Sequence, residues 1–118
     1  MVDRLSRVYN LIGIAQRAGL TSSGATAVRA SLTKRQARVV LMSRDIADNS
    51  RDALIKSCSK NEIPWFIIGD KFKLGASLGK AHRVAMTIND SGMASAIMKA
   101  IQAADNEAKS MGVVEWPR

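Results

Sequence analysis

The chain predicts an α/β protein in which a single sheet carries helices on both faces. Three observations carry that expectation. Strand-sized runs alternate with helical periodicities along the chain, in the order α-α-β-α-β-α-β-α. The two strongest strand candidates, within Ala37 to Ser43 and Trp65 to Ile68, are almost continuously apolar, as strands covered on both sides must be. With 118 residues the chain can bury roughly two-thirds of the surface its unfolded form exposes, so one core forms without covalent staples. One domain over residues 1–104 is expected, followed by a tail, residues 105–118, that is loosely docked or disordered.

The elements follow in order. Residues 4 to 18 place Leu5, Val8, Leu11, Ile12 and Ala15 at spacings of three and four, which defines the inner face of an amphipathic helix. Gly19 stands where a left-handed cap would end it. Leu20 to Ser23 is a short extended link, at most a minimal edge strand. A second helix starts near Gly24 and turns Ala27, Val28 and Leu32 inward, leaving Arg29, Lys34 and Arg35 outside. After the strand of residues 37–43, Asp48-Asn49-Ser50 offers an N-cap to a third helix whose inner face is Ala53, Leu54, Ser57 and Cys58. Asn61 and Pro64 end that helix before the next strand. Gly69-Asp70 then turns the chain into a short helix with Leu74, Ala76 and Leu78, closed by Gly79. Arg83 to Ile88 alternates, with Val84, Met86 and Ile88 on one side. Asp90 caps a last helix through Met93, Ala94, Ile97, Met98 and Ile101, and the pattern fades after Ala104.

Charge says more about partners than about fold. Eighteen Lys and Arg against ten Asp and Glu give a formal net charge of +8. From Arg4 to Arg44 there are eight basic residues and no acidic one, whereas from Asp90 onward three basic residues face four acidic ones. A one-sided basic surface attracts polyanions, because each phosphate contact releases condensed counterions. A merely solubilising face would spread its charge more evenly, so nucleic acid is the expected partner. No helix pairs a basic face with a Trp/Phe-rich one, which disfavours a membrane surface, and no apolar run is long enough to span a bilayer. Five aromatic residues, two of them in the buried run Trp65-Phe66, are too few for a base-stacking platform. Contacts to phosphates and to shaped RNA are expected instead, and no DNA specificity. The single cysteine, Cys58, excludes an internal disulfide and suits a reducing compartment, so a cytoplasmic protein is expected.

The inventory for catalysis is thin. His82 is the only histidine and has no partner at triad or metal-ligand spacing. Neither GxGxxG nor GxxxxGK[ST] occurs. Cys58 reads as a small core residue, and the methionines read as packing. No enzyme, metal or cofactor is expected. The strongest local signal is Ser22-Ser23-Gly24-Ala25-Thr26, which opens a helix between Arg17 and Arg29. Helix starts expose unpaired N–H groups that suit phosphate oxygens, and this one carries short hydroxyls and nothing bulky. His82, beside Lys80 and Arg83, reads equally as an exposed loop residue and as a phosphate contact.

The runs SGATAVRASLTKRQARVVLMSRD (Ser23 to Asp45) and NEIPWFIIGDKFKLGASLGKAHRVAMTI (Asn61 to Ile88), with the RAG step at Arg17 to Gly19, resemble the bacterial branch of the ribosomal L-seven-Ae/L-thirty-e/Gadd-forty-five superfamily. The likeness covers roughly residues 5 to 103. It implies a three-layer α/β/α sandwich with a small mixed sheet of about four strands, and recognition of kink-turn RNA. It further implies that RNA is held by the start of the second helix, commonly G-x-N-E-x-x-K, and by a loop before the last strand. Here Gly24 matches the glycine, while Thr26, Ala27 and Ala30 stand where Asn, Glu and Lys usually are, and Lys80-Ala81-His82 corresponds to the loop. Thr26 can replace some hydrogen bonding, neither alanine can, and Arg29 offers a cation one position away. A bidentate base contact is worth about 1–3 kcal/mol, so the departure bears on specificity while the basic surface survives.

The expected function is therefore non-enzymatic binding of structured RNA, kink-turn-like or ribosomal, as a ribosomal or ribosome-associated protein. Gly24, Ala25, Thr26, Ala27, Lys80, Ala81 and His82 form the expected site. Arg17, Arg29, Lys34, Arg35 and Arg38 are the expected phosphate contacts, and the ribosome or its proteins are further partners. The alternative is a protein–protein adapter of the same superfamily that has lost the kink-turn code.

Overall fold

In the computed structural model, which describes residues 5–108, each apolar periodicity becomes an element and every element turns its apolar side to one sheet. Helix α1 (Ser6–Arg17) buries Val8, Ile12 and Ala15 at the expected spacing. It ends where the N–H groups of Gly19 and Leu20 bond back to Gln16 and Ala15. Strand β1 (Thr21–Ser23), helix α2 (Ala25–Thr33) and strand β2 (Val39–Met42) follow. Then come α3 (Asp48–Lys60), β3 (Trp65–Ile67), α4 (Lys71–Ser77), β4 (Ala85–Ile88) and α5 (Ser91–Ala108).

The sheet order is β1-β4-β2-β3. β4 runs antiparallel to both β1 and β2, and β2 pairs parallel with β3, so the sheet is mixed. Helices α1, α4 and α5 pack on one face against Val39, Leu41, Phe66, Ile68, Met86 and Ile88. Helices α2 and α3 cover the other, where Val28, Leu32 and Cys58 meet Val40, Met42, Ile67 and Ala85. The three-layer α/β/α sandwich is thus the observed fold. β2 and β4 are buried along their whole length, and the link before Gly24 is indeed a minimal edge strand.

Several local expectations are corrected. Asp48 does not cap α3: the cap position is Ala47, no side chain bonds there, and Asp48 is the first helical residue, within 3.4 Å of Arg51. The inner face of α3 is narrower than its spacing suggests, with Cys58 alone fully buried and Ala53 exposed, because a groove separates α3 from α2. β4 has no solvent side. Met86 and Ile88 face α1 and α5, while Val84, expected beside them, packs with Ala85 toward α2 and α3. The last helix continues through Ala108, four residues past the fading of its pattern. Arg4 and residues 109–118, most of the expected tail, lie outside the described residues. Asp90 does cap α5, accepting the Met93 N–H at 2.9 Å.

One polar cluster was not foreseen. Thr87 points toward α2 with 0% exposure, and Ser31 of α2 is 1% exposed. Both hydroxyls donate to Asn89 Oδ1, at 2.8 and 2.7 Å, and Asn89 Nδ2 donates to Ser22 Oγ at 3.0 Å. One amide side chain thereby ties β1, α2 and β4 together.

Burial also fixes the chemistry of Cys58. Desolvation pushes its thiol up to about 11, so at pH 8 only on the order of one thiol in a thousand is ionised. Alkylation by iodoacetamide is expected to be at least about a hundredfold slower than for a free thiol. Labelling should accelerate at the urea concentration that unfolds the chain, and fast labelling of the native protein would contradict the packing.

Candidate nucleic-acid interface

Strand register defines two ends of the molecule. Met42, Ile67 and Ala85 come level at one, called upper here, with Ser23 one step below beside Met86; Thr21, Val39 and Ile88 come level at the other. Helix α2 descends from upper to lower: Gly24 N–H bonds Ala85 O at 3.1 Å, and ten residues on, the chain around Ser31 to Arg38 meets Asn89 and Ile88. α3 descends the same way, from Met42 to the turn before Pro64. The upper end therefore collects the positive ends of two helix dipoles, each worth roughly half a charge.

The start of α2 is open. Gly24 sits at φ 88°, ψ 158°, a backbone region costly for any residue with a Cβ. No side chain caps the helix, so the N–H groups of Ala25, Thr26 and Ala27 have no acceptor within it. The Ser22 hydroxyl, counted among the short polar groups of this segment, is taken by Asn89. Ala25 and Thr26 are exposed and Ala27 half-buried.

The loop before β4 is held beside this opening. α4 begins with Asp70, whose carboxylate accepts the N–H groups of Phe72 and Lys73, each at 2.9 Å. Asp45 accepts the Lys71 N–H at 3.0 Å, which joins the loop after β2 to the same end. After α4 the chain doubles back so closely that a Cβ on Gly75 would lie 2.5 to 2.8 Å from three backbone atoms of His82. Only glycine permits that approach. Lys80, Ala81 and His82 consequently project outward, all exposed.

Arg83 connects the two parts. Its N–H bonds Lys71 O at 2.9 Å and its Nη1 donates to His82 O at 2.7 Å. Its Nε lies 4.0 Å from the position of a Cβ on Gly24, is itself buried, and has no hydrogen-bond partner among the described residues. A guanidinium with an unspent donor thus stands against an uncapped helix start. This combination suits an anionic oxygen.

Arg29 points elsewhere. One residue before Ala30, and so about 100° round the helix, it lines the groove of about 500 Å³ between α2 and α3, whose floor is Leu32, Ile46, Leu54 and Val84. Among the described residues no three His, Cys, Asp or Glu side chains gather as a metal site, and no helix is long and apolar enough to cross a membrane.

Residues 6–98 match the model of the Ribosomal protein L7Ae/L30e/S12e/Gadd45 family. The chain belongs to this family. Similar members include the RNA-binding protein YlxQ of Bacillus subtilis (strain 168), 28% identical over 90 residues, which is 76% of this chain and 90% of that one. The YlxQ protein of Enterococcus faecium is 28% identical over 88 residues, covering 75% and 84% of the two chains. Among solved structures, a Bacillus halodurans protein of unknown function superposes with a TM-score of 0.80 at 26% identity, covering 82% of this chain and 98% of that one. The Giardia lamblia 15.5kD RNA binding protein superposes with a TM-score of 0.71, covering 90% and 92%; at 18% identity it speaks to the fold alone.

Within this family member, then, the residues singled out by sequence fall into three places. Gly24, Ala25, Thr26 and Ala27 are brought against the Lys80-Ala81-His82 loop through Arg83. Lys34, Arg35 and Arg38 are not brought there: they sit past the lower end of α2, about 15 Å from its start. Arg17 lies in the other layer, in a groove with Gly13, Lys73 and Ser77 between α1 and α4. Arg83 itself was missed as a site residue. Its signal was present, a cation ending the loop immediately before a buried strand, but nothing in the spacing says that the side chain crosses to Gly24.

Proposed function

We propose that the chain binds structured RNA, and that the start of α2 with Arg83 and the Lys80-Ala81-His82 loop is the contact. The observation that carries this reading is the uncapped helix start with the unspent Arg83 donor beside it. The YlxQ relatives, named as RNA-binding proteins, support the partner class. Ala25, Thr26 and Ala27 offer backbone N–H groups to a phosphate or base edge, Arg83 adds a charge-assisted donor, and Lys80 and His82 flank the opening. A kink-turn, or the shaped ribosomal RNA that contains one, is the substrate we assign. Thr26 takes over part of the base reading, and backbone and guanidinium supply the rest. A reducing, cytoplasmic setting beside the ribosome fits a chain whose one cysteine is a buried thiol.

Thr26→Asp tests the reading with effects of opposite sign. A carboxylate in the first turn of α2 should stabilise the helix by about 0.3–1 kcal/mol. The same charge should repel phosphate and weaken binding to a kink-turn hairpin by at least about tenfold. Higher stability with unchanged affinity would place the RNA elsewhere. If the wild-type chain bound neither a kink-turn hairpin nor a plain duplex, the adapter alternative would take over, with the exposed Ile14 and Phe72 as its starting point (47% and 60% exposed).

A further inference from the structure

The lower end of α2 carries a second group of cations that the proposed site does not use. Arg35, Arg38 and Lys60 line a hollow of about 330 Å³ between the ends of α2 and α3, with Leu32, Ile63 and Glu62 among its walls. Lys34, the C-cap of α2, is exposed beside it. None of the four makes an ion pair among the described residues, not even with Glu62 on the same rim. Arg35 has a left-handed backbone, φ 58°, a conformation that glycine would hold at less cost.

A plain alternative is that these cations serve the negative ends of α2 and α3. The magnitudes decide against it as a full account. Two half-charges from the helix ends and one carboxylate oppose four full cations, which leaves an excess of about two positive charges around one concavity. From this hollow the groove between α2 and α3 runs back to Ala25 past Leu32, Ile46, Leu54 and Val84 and past the hydroxyls of Ser50 and Ser57, with Arg29 as the cation between the two ends. The two basic ends thus lie about 15 Å apart at opposite ends of one groove.

We propose that the Arg35/Arg38/Lys60 hollow is a second RNA-backbone site, so that one chain holds two RNA segments, one at each end of α2. The inference rests on the RNA-binding reading of the upper end and adds a second, sequence-independent contact to it.

The test counts RNA molecules. Sedimentation of the full chain with an excess of one short labelled hairpin, at low salt, should give two hairpins per chain for the wild type. It should give one for the triple variant Arg35→Gln, Arg38→Gln, Lys60→Gln, whose melting profile checks that it is folded. The binding retained by that variant should stay within about twofold of the tighter wild-type step, because only phosphate contacts remote from the upper site are lost. One hairpin per wild-type chain overturns the second site while leaving the first. Two hairpins retained by the variant also overturn it and return the cations to the helix ends or to a protein partner. No hairpin on the wild type would instead remove the RNA-binding reading itself.

Discussion

Replacing Gly75 by alanine is expected to destabilise the chain by about 3 kcal/mol, seen as a melting temperature lower by on the order of 10 °C. The added methyl would stand 2.5 Å from His82 Cα and 2.8 Å from its carbonyl carbon and nitrogen. Those are backbone atoms and cannot swing aside as a side-chain tip would. Gly75 is buried in α4, between Leu74 of the core and the returning loop, so the helix cannot shift outward without opening that core. The remaining escape is displacement of the loop, which would pull Arg83 from Gly24. Whichever way the strain resolves, RNA affinity should fall along with stability. A variant that melts and binds like the wild type would show that the loop does not pack against Gly75.

The second large effect is expected at Asn89. Its Oδ1 accepts from two hydroxyls, those of the fully buried Thr87 and of Ser31, and its Nδ2 reaches Ser22. Thr87 and Ser31 are 3.3 Å apart and each has a single proton, already committed to Asn89. Asn89→Ala leaves two donors seeking one another's oxygen in a dry site, at a cost of about 2–4 kcal/mol in urea unfolding. Asn89→Asp should fall between: it still accepts from both hydroxyls but cannot donate to Ser22. Because Ser22 precedes Gly24 by two residues, either change should also loosen the start of α2. Equal stability for all three proteins would mean the cluster is solvated rather than buried.

How much was legible in the sequence follows from which forces act locally. Helix faces with spacings of three and four, such as Val8, Ile12 and Ala15, were readable, since the side chains that define them are close in the chain. So were the fully apolar β2 and the cap at Asp90. The cap of α3 was misread because Asp48-Asn49-Ser50 offers three candidates in a row, and the chain places Ala47 at the turn. Alternation along Arg83 to Ile88 puts Thr87 on the side away from Met86 and Ile88, and that side is buried too. Only the partners brought by Ser31 and Asn89, 56 and 2 residues away, make its burial tolerable.

The candidate site divides in the same way. Gly24 and the segment after it announced themselves through local composition, and the family likeness pointed to the neighbouring loop. That Arg83 links them depends on the doubling-back at Gly75, a packing fact without a sequence pattern. The basic residues Lys34, Arg35 and Arg38 were counted with the site because charge is legible and position is not. The nine residues of α2 carry them to the opposite end.

Contact between RNA and the start of α2 can be followed residue by residue in an NMR titration of the isotope-labelled chain with a kink-turn hairpin. The amide signals of Ala25, Thr26 and Ala27 and the Arg83 Nε–H signal should move first and furthest, with Lys80 to His82 following. The shifts should persist when salt is raised enough to remove duplex binding. Shifts confined to the α1/α4 face around Ile14 and Phe72, with Ala25 to Ala27 unmoved, would contradict it.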